Sequence, residues 1–551
     1  MLRKDFFGKE VMPFTIPSGI ITTTTDVIRL FSQEIPQLGI LTTKSIGTTP
    51  REGNREPVLS QVDERSLINA VGLANPGVNE FKEELKEIYP LHNNKFLLTS
   101  LFGGTAEEFV AIIKKLEDYT DGFELNFSCP HATGYGAAIG SDKSIVYNFT
   151  EKIRKATKKP IIVKLTPNVD NIAEIAKAAV DAGADSICAI NTVGPFDSKT
   201  LSNTKGGLSG KQIKEKGIEC VKEISKAVNV PIIAMGGIFS ARDVKAYEKA
   251  GARFFGIGTA LTGLDTQQIK EYFRSLVEDL KNNTNSAEKL TLNRWVMKYL
   301  PYKLKSFTSC GGEVGVFIFD KEFEAEPGQF IFVWLPGKGE KPFGVLEKNP
   351  LTIVVKRVGP FTSELFKLKK GDEVMIRGPY GKPLPQPFLD KIYITVGGTG
   401  IAPLYLFIKN LKKKGITPTV LMGAKENDCL LLKKELSKVC DLRTIIDDEG
   451  FVTDLLKEVL EKEKPKNPTF YNCGPEIMMK GAVEIELGYS ENIFCMLETY
   501  MKCGVGTCGS CSIETGKRVC VDGPMFGLTE ILKLKYFGEK KRGPTGGYVK
   551  I

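Results

Sequence analysis

The chain has 551 residues, 42% of them hydrophobic and 26% charged, and its 75 basic and 66 acidic residues leave a net charge of +9. This length is too great for one hydrophobic core and predicts three or four domains of ordinary globular composition. No concentrated basic block precedes about the last twenty positions, which argues against a nucleic-acid partner. The start lacks the apolar region of a signal peptide, and no run reaches the roughly 18 apolar residues of a spanning helix. We therefore expect a cytoplasmic protein with no membrane partner.

Histidine is scarce, because only His92 and His131 occur in the chain. Histidine triads and histidine-rich metal sites are therefore nearly excluded, and a general base must come from another residue type. Two of the 12 cysteines, Cys188 and Cys220, lie in apolar segments, and we expect them to be inert core residues.

The first half alternates short apolar runs with amphipathic stretches. The runs lie at 14–19, 39–44, 96–102, 122–127, 160–165, 186–191, 231–235 and 254–258. Eight strands with helical patterns between them predict a (β/α)8 TIM barrel. In this fold the chemistry lies at the C-terminal ends of the strands, so polar residues at those ends are candidate site residues.

Glycine-rich turns follow the last barrel strands, at 206–210, 236–237 and 258–259. One glycine turn is weak evidence, but three turns with helix N-termini at this edge of a barrel predict the phosphate site of FMN. The predicted cofactor contacts are Gly207, Ser209, Gly210, Gly236, Gly237, Gly258 and Thr259. Lys164 ends the fifth strand inside an apolar run, where an unpaired ammonium would be costly. The pyrimidine edge of a flavin would be a suitable partner for it.

The fourth strand runs into Asn126-Phe127-Ser128-Cys129-Pro130, which places a thiol at the catalytic rim, although a buried structural cysteine is the alternative. With Thr43-Lys44-Ser45, Asn69-Ala70-Val71-Gly72-Leu73, Asn75-Pro76-Gly77 and Asn191-Thr192, this segment resembles the dihydroorotate dehydrogenase family over about 1–280. The resemblance implies that Cys129 is the base that takes the C5 proton while hydride leaves C6 for the flavin. The implied substrate contacts are Lys44, Asn69, Gly72, Leu73, Asn126, His131, Asn191 and Thr192.

One position departs from that family. Where the dehydrogenases usually carry asparagine two residues after the cysteine, this chain has His131. Cys-Pro-His followed by a glycine-rich stretch resembles the flavin barrel of dihydropyrimidine dehydrogenase. An NAD(P)H-dependent reductase of uracil-like or other unsaturated rings is therefore the alternative function. A more distant alternative is an electron-transfer module for another redox protein.

Beyond a polar joint at 281–290, short β runs at 303–309, 313–319, 330–335, 351–357 and 373–377 predict a small antiparallel barrel. A buried strand then breaks into Gly397-Gly398-Thr399-Gly400 before a helix, which is the arrangement for pyrophosphate binding. Two further strand ends, at 420–424 and 471–475, are expected to face the same crevice.

The four cysteines Cys503, Cys508, Cys511 and Cys520 repeat the C-x4-C-x2-C…C ligand run of a plant-type [2Fe-2S] cluster. Gly504, Gly506 and Gly509 let the backbone bend around such a cluster. A zinc site would usually pair two C-x2-C units across a longer gap, and disulfides would need an oxidising compartment. The run therefore predicts a one-electron carrier.

Residues 291–527 resemble the ferredoxin-reductase-like electron-transfer subunit of NAD-linked dihydroorotate dehydrogenases. There an Arg-Pro-x-Ser/Thr motif and a Gly-x-x-Thr turn grip FAD, and Cys-Gly-Pro lies near the nicotinamide. The matching residues here are Lys341, Pro342, Gly359, Thr362 and Cys473. Lys341 keeps the charge of the family's arginine but lacks its guanidinium fork.

We thus expect a fused, NAD-linked dihydroorotate dehydrogenase with FMN, FAD and [2Fe-2S], which acts on dihydroorotate and forms a homodimer through the barrel. The expected domains are an FMN barrel at 1–283, an FAD-binding β-barrel at 291–388, an NAD-binding α/β domain at 389–488, a cluster domain at 489–530 and a basic tail at 531–551. We expect the tail to be solvated and partly disordered.

Overall fold

The computed structural model describes residues 2–92, 94–128, 137–292, 296–387 and 391–551. In the described part of the chain, no helix combines the length and apolarity needed to cross a membrane.

The first half folds as strands and helices that alternate along the chain. Its strands are β1 (Lys4–Phe6), β2 (Lys9–Val11), β3 (Phe14–Thr15), β4 (Ile40–Thr42), β5 (Leu59–Asp63), β6 (Ser66–Asn69), β7 (Phe96–Leu101), β8 (Gly122–Asn126), β9 (Ile161–Lys164), β10 (Ser186–Ala189), β11 (Val193–Asp197), β12 (Lys205–Gly210), β13 (Ile232–Met235) and β14 (Phe254–Gly256). Its helices are α1 (Thr25–Glu34), α2 (Val78–Ile88), α3 (Ala106–Leu116), α4 (Ala137–Gly140), α5 (Lys143–Ala156), α6 (Ile172–Asp181), α7 (Lys214–Ala227), α8 (Ala241–Lys249), α9 (Thr266–Asn282) and α10 (Ser286–Leu290).

Eight parallel strands form the predicted barrel, in the order β3-β14-β13-β10-β9-β8-β7-β4. A parallel bridge between Phe14 and Leu38 brings the two end strands together. Each of the eight apolar runs in the sequence contains one of these strands, so the TIM-barrel prediction is confirmed. Strands such as β9 are buried at every position, because a parallel sheet covered on both faces selects continuous apolar runs rather than alternation.

A four-stranded antiparallel sheet in the order β11-β12-β6-β5 accompanies the barrel. In this sheet Asn69 stands opposite Gly207, and Leu67 stands opposite Ser209. Two segments that are distant in sequence, the Asn69 loop and the glycine turn at 206–210, are therefore fixed side by side by a strand pair.

The second half begins with a closed six-stranded barrel in the order β15-β16-β19-β18-β17-β20. Its elements are β15 (Leu300–Cys310), β16 (Val314–Phe319), β17 (Phe330–Leu335), β18 (Gly339–Lys348), β19 (Leu351–Lys356), β20 (Glu373–Tyr380) and α11 (Pro360–Leu365). The predicted antiparallel barrel is confirmed, but β18 is not among the predicted strands. Its sequence GEKPFGVLEK mixes charges, glycine and proline, and only part of it is buried, so it lacks an apolar pattern that would reveal a strand.

A second sheet follows, in which the first five strands are parallel and the last pairs antiparallel with its neighbour, and the cluster segment interrupts it. Its strands are β21 (Ile392–Gly397), β22 (Thr419–Ala424), β23 (Asp441–Ile446), β24 (Thr469–Cys473), β25 (Ile493–Met496) and β26 (Met525–Gly527). Its helices are α12 (Ala402–Lys413), α13 (Lys433–Leu436), α14 (Val452–Glu463), α15 (Glu476–Glu486), α16 (Val519–Asp522) and α17 (Leu528–Ile531). The order β23-β22-β21-β24-β25-β26 has its topological switch point between β21 and β24. Because β25 and β26 belong to this sheet, residues 497–524 form an excursion between its last two strands.

The basic tail is folded, which corrects the expectation of a solvated end. Strands β27 (Lys540–Arg542) and β28 (Tyr548–Lys550) form a hairpin. Arg542 is only 4% exposed. Its guanidinium Nε donates to Asp26 Oδ2 at 3.0 Å, and its Nη1 donates to Glu84 Oε1 at 3.0 Å. A positive charge that looks solvated in the sequence is instead neutralised by two carboxylates on the first two helices of the barrel.

Candidate active site and electron-transfer centres

A cavity at the C-terminal ends of the barrel strands encloses about 1030 Å³ of non-protein space, part of it open to solvent. It gathers most of the residues that the sequence predicted for substrate and FMN. These are Lys44, Asn69, Gly72, Leu73, Asn126, Lys164, Asn191, Thr192, Ser209, Gly210, Gly236, Gly237, Gly258 and Thr259. Gly207 is not one of the residues that line this cavity, but its carbonyl oxygen accepts a hydrogen bond from Nδ2 of the lining residue Asn69 at 3.2 Å.

The asparagines of the cavity are held by neighbouring side chains. Asn126 Nδ2 donates to Ser45 Oγ at 2.9 Å, and Ser128 Oγ donates to Asn126 Oδ1 at 2.8 Å. Asn191 Nδ2 donates to Ser128 Oγ at 2.7 Å, and Thr192 N donates to Asn191 Oδ1 at 2.8 Å. Because an amide has two hydrogens and two lone pairs, these bonds orient the side chains and leave capacity for a planar polar ligand.

Two lysines bring positive charge to the same cavity. Lys44 is 7% exposed, and its ammonium lies so close to Gly19 that a Cβ at Gly19 would come within 3.2 Å of Lys44 Nζ. Gly19 has a φ of +82°, which glycine adopts without strain. Lys164 donates to Ser18 Oγ at 2.9 Å and lies 3.8 Å from Glu124 Oε1. Lys164 therefore has partners within the protein, in addition to any flavin edge.

Glu124 is a buried site residue that sequence reasoning did not assign. It lies on β8, is 1% exposed, and accepts a hydrogen bond from Ser100 Oγ at 2.8 Å. Burial, and then the charge of Glu124, raise the pKa of the nearby Cys188 thiol, as expected for an inert core cysteine. A glutamate inside a continuous apolar strand was the signal available in the sequence, because such a carboxylate needs a buried partner.

The residues present fit a flavin phosphate at the glycine turns. A Cβ at Gly258 would meet no protein atom closer than 3.7 Å, so that backbone faces open cavity. Thr259 Oγ1 and Ser209 Oγ lie 3.2 Å apart at the same end, and they add two hydroxyls to the backbone donors. Small residues, hydroxyls and exposed amides together form the donor set that binds phosphate.

Cys129 and His131 lie outside the described residues. The described chain stops at Ser128 and resumes at residue 137. The base and the departure from the family pattern that the sequence predicts at these positions therefore stay predictions.

At the FAD-binding barrel, the predicted contacts lie on two separate segments. Lys341 Nζ donates to Glu56 Oε2 of the first half at 3.1 Å and lies 4.7 Å from the centroid of the Tyr500 ring. Thr362 Oγ1 accepts from the backbone N–H of Gly359 at 3.0 Å, and a Cβ at Gly359 would meet nothing within 4 Å. Pro342 pairs with Phe332 across the adjoining strand. The Lys341 ammonium and the open turn at Gly359 fit a phosphate-bearing cofactor. Glu56 already forms an ion pair with Lys341, so part of its positive charge is neutralised within the protein.

The pyridine-nucleotide crevice opens at the switch point between β21 and β24, where Val396 and Cys473 are paired. Gly398 has a φ of +55°, and a Cβ at this position would meet nothing within 4 Å, so its backbone is accessible to a phosphate. Gly400 must be glycine, because a Cβ there would lie 2.2 Å from the Cys473 carbonyl oxygen. Burial, and then Glu498, raise the pKa of the Cys473 thiol, which keeps it neutral beside the crevice.

The four cysteines of the predicted cluster are all buried, each 5% exposed or less. Cys511 Sγ and Cys520 Sγ lie 3.2 Å apart. Hydrogen bonds from the Cys508 and Cys520 thiols hold the pKa of Cys503 well below its usual range. Among the described residues, no three histidine, cysteine or acidic side chains are arranged so that together they could hold a single metal ion. The fit to a [2Fe-2S] cluster therefore rests on the mutual contacts of the four sulfurs and on their spacing.

The loop that carries the four cysteines, residues 503–520, lies between the cavity of the first barrel and the FAD-binding barrel. Ile21 N donates to Thr507 O at 2.7 Å, next to Ile20 in the cavity wall. A Cβ at Gly509 would lie 2.1 Å from the Ile21 carbonyl oxygen, so only glycine permits this approach. On the other side, Arg377 Nη1 donates to Cys503 O at 2.9 Å. The loop thus contacts the wall of the barrel cavity and the FAD-binding barrel at once.

Comparisons with known proteins agree with this layout. The family model described as dihydroorotate dehydrogenase matches residues 1–280, the oxidoreductase NAD-binding domain matches 395–484, and the iron-sulfur cluster binding domain of dihydroorotate dehydrogenase B matches 498–532.

Relatives match the two halves separately. The dihydroorotate dehydrogenase B (NAD(+)) catalytic subunit of Methanocaldococcus jannaschii is 38% identical over 53% of this chain and 97% of its own length. The corresponding subunit of Pyrococcus horikoshii is 39% identical over 52% of this chain and 95% of its own length. The probable electron transfer subunit of M. jannaschii is 40% identical over 44% of this chain and 95% of its own length. The chain therefore belongs to the dihydroorotate dehydrogenase family and joins, in one polypeptide, homologues of the catalytic and electron-transfer subunits of its NAD-linked B type.

Proposed function

We propose that this protein oxidises dihydroorotate to orotate with NAD+ as the electron acceptor. The observation that carries the proposal is the barrel cavity that holds Lys44, Lys164 and the amides of Asn69, Asn126 and Asn191. Dihydroorotate is an anion with amide edges, and it becomes planar on oxidation. Lysine charge and oriented asparagine amides match an anion with that pattern of donors and acceptors.

Within the cavity, the residues divide into two groups. Lys44, Asn69, Asn126, Asn191 and Thr192 bind the substrate ring and carboxylate, with the Gly72-Leu73 backbone beside them. Lys164 and the glycine turns bind FMN. The division is supported by the contacts within each group, because Ser209 and Thr259 contact each other beside the glycine turns, whereas Asn126 and Asn191 are joined through Ser128.

The proton from C5 of the substrate passes to Cys129, which follows Ser128 directly in the chain. An unperturbed thiol has a pKa of about 8.5 and is a few per cent thiolate at neutral pH, which suffices for general-base catalysis. His131 donates a hydrogen bond to the ring or carboxylate and favours dihydroorotate over dihydrouracil.

When bound, the two flavins supply two-electron chemistry and the [2Fe-2S] cluster supplies one-electron transfer between them. The protein contributes the placement of these groups. Cys503, Cys508, Cys511 and Cys520 ligate the cluster, and the contact between Ile21 and Thr507 brings its loop to the barrel. Lys341, Pro342, Gly359 and Thr362 bind FAD, and Gly397, Gly398, Gly400 and Cys473 face NAD.

We also propose that the barrel half forms a homodimer. Phe196 on β11 and Val62 on β5 are 42% and 43% exposed, on the two outer strands of the four-stranded sheet. Light scattering coupled to size exclusion tests this proposal, and a monomeric mass at micromolar concentration would contradict it.

The decisive experiment is an anaerobic assay of the purified holoenzyme with dihydroorotate or dihydrouracil and with NAD+ or NADP+. We expect the highest kcat/KM for dihydroorotate with NAD+. One charged hydrogen bond is worth about 1.5–3 kcal/mol, so the preference over dihydrouracil should be roughly ten- to two-hundredfold. A preference for dihydrouracil would instead favour a reductase of uracil-like rings. Turnover of neither substrate would favour an electron-transfer module.

A further inference from the structure

A buried carboxylate lies next to Lys164, one of the residues that line the barrel cavity. Glu124 Oε1 is 3.8 Å from Lys164 Nζ and accepts a hydrogen bond from Ser100 Oγ at 2.8 Å. The three residues are 1%, 3% and 0% exposed, in the order Glu124, Lys164 and Ser100. Such a carboxylate is costly unless its charge is paired and its oxygens are hydrogen-bonded. Both conditions are met here by Lys164 and Ser100.

Beyond Ser100, a hydrogen-bonded chain continues to the substrate end. Ser100 Oγ and Ser45 Oγ lie 2.8 Å apart, and Asn126 Nδ2 donates to Ser45 Oγ at 2.9 Å. A carboxylate only accepts hydrogen bonds. Ser100 must therefore donate to Glu124, which leaves its oxygen to accept from Ser45, and the oxygen of Ser45 in turn accepts from Asn126.

We propose that Glu124 is a positioning residue that acts at both ends of the cavity. At one end it holds Lys164 and balances its charge beside FMN. At the other end it sets the direction of the Ser100–Ser45–Asn126 chain and so fixes which edge of the Asn126 amide faces the substrate. The proposal rests on the proposed function, because it assigns Lys164 to the flavin and Asn126 to orotate.

Two variants separate the two effects. Glu124→Gln keeps the size of the side chain but removes the negative charge next to Lys164. The negative charge that reduction places on a flavin is then better balanced, so the midpoint potential of bound FMN should become more positive. The ratio of oxidised to reduced FMN dissociation constants should rise about tenfold or more, since the charges interact in a poorly solvated site.

Ser100→Ala removes the hydroxyl that links Glu124 to Ser45 and Asn126, but it keeps the negative charge of Glu124 beside Lys164. It should weaken binding of orotate about two- to tenfold, the effect of one neutral hydrogen bond, and shift the FMN potential less than Glu124→Gln does. The matched control is Ser186→Ala. Ser186 is also fully buried on a barrel strand, but its hydroxyl donates to Pro231 O at 2.7 Å, outside this chain. That control should change neither quantity.

The measurements are spectroelectrochemical titration of FMN in the holoenzyme and titration of the oxidised flavin spectrum with orotate. An unchanged FMN potential in Glu124→Gln would overturn the proposal, as would an orotate affinity in Ser100→Ala equal to that of Ser186→Ala. If Glu124→Gln does not fold, the orotate affinity of Ser100→Ala, compared with that of Ser186→Ala, decides whether the proposal stands. If the unmodified protein does not bind orotate, the proposed function fails, while the FMN potential of Glu124→Gln still tests the action on Lys164.

Discussion

The folded tail leads to the most specific stability prediction, because Arg542 is a buried cation between two carboxylates. Its guanidinium bonds Asp26 and Glu84 and also donates to Gly546 O at 2.6 Å. Burial raises the pKa of Asp26 even with this arginine in place. Arg542→Met would remove the cation that joins the buried Asp26 to the half-buried Glu84, and would leave Arg29, 3.1 Å from Asp26 Oδ1, as the remaining cation beside Asp26.

Removal of one partner of a buried ion pair costs about 3–5 kcal/mol, and we expect a loss of that size in the free energy of unfolding at pH 7. The loss should shrink on acidification. Burial already raises the folded-state pKa of Asp26, and loss of the Arg542 charge raises it further above the unfolded value. The protonated form of Asp26 therefore stabilises the fold at low pH, and this contribution is lost as the pH rises through the folded pKa.

The tail also connects the two halves of the protein. Backbone N–H groups of Lys535 and Tyr536 donate to Glu514 at 2.8 and 3.0 Å, three residues after the cluster ligand Cys511. Release of the tail should therefore reduce NAD+-linked turnover of dihydroorotate more than NADH-dependent reduction of a dye.

Denaturant unfolding at pH 5 and pH 7 and limited trypsinolysis at Lys540 and Lys541 check this prediction. The control is Arg274→Met, since the Arg274 side chain is 63% exposed and its Nη2 lies a long 3.9 Å from Glu271 Oε1. In the Arg542→Met background, Asp26→Asn with Glu84→Gln should restore most of the stability, because neutral groups replace the uncompensated charges. An Arg542→Met variant as stable and as protease-resistant as Arg274→Met would refute the reasoning.

Three further predictions address the electron path, the base and a buried acid. Cys508→Ser should abolish NAD+-linked dihydroorotate oxidation and leave NADH-dependent reduction of a dye at FAD largely intact. Equal loss of both activities would contradict an electron route through the cluster, or would show that the cluster is needed for folding. Cys129→Ser should slow flavin reduction by dihydroorotate by roughly 10²–10⁴ at neutral pH and move the rise in rate to higher pH, and an unchanged stopped-flow rate would exclude Cys129 as the base. Burial raises the pKa of Glu486 to about 8, although Asn472 Nδ2 donates to it at 2.7 Å. Because the folded-state pKa of Glu486 is raised, the free energy of unfolding should fall as the pH rises from the unfolded-state pKa to about 8. The slope should be up to about 1.4 kcal/mol per pH unit. Glu486→Gln should remove that slope from urea unfolding series, and identical slopes would argue that Glu486 is not buried.

Local patterns in the sequence determined much of this protein. The eight barrel strands could be predicted because strands buried on both faces must be continuously apolar. The glycine turns could be predicted because phosphate binding needs exposed backbone amides. The cluster ligands could be predicted because all four lie within the short segment from Cys503 to Cys520. Each of these features is set by residues close together in the chain.

Only the tertiary structure decided how distant residues meet. Glu124 pairs with Lys164 because β8 and β9 are neighbours in the barrel, and Glu56 reaches Lys341 across 285 positions. Arg542 reads as part of a solvated tail in the sequence, yet it is buried against Asp26, which lies 516 positions away. The free-energy cost of a buried charge depends on the partner that tertiary packing places beside it. That partner lies far away in the sequence, so local sequence patterns cannot predict it.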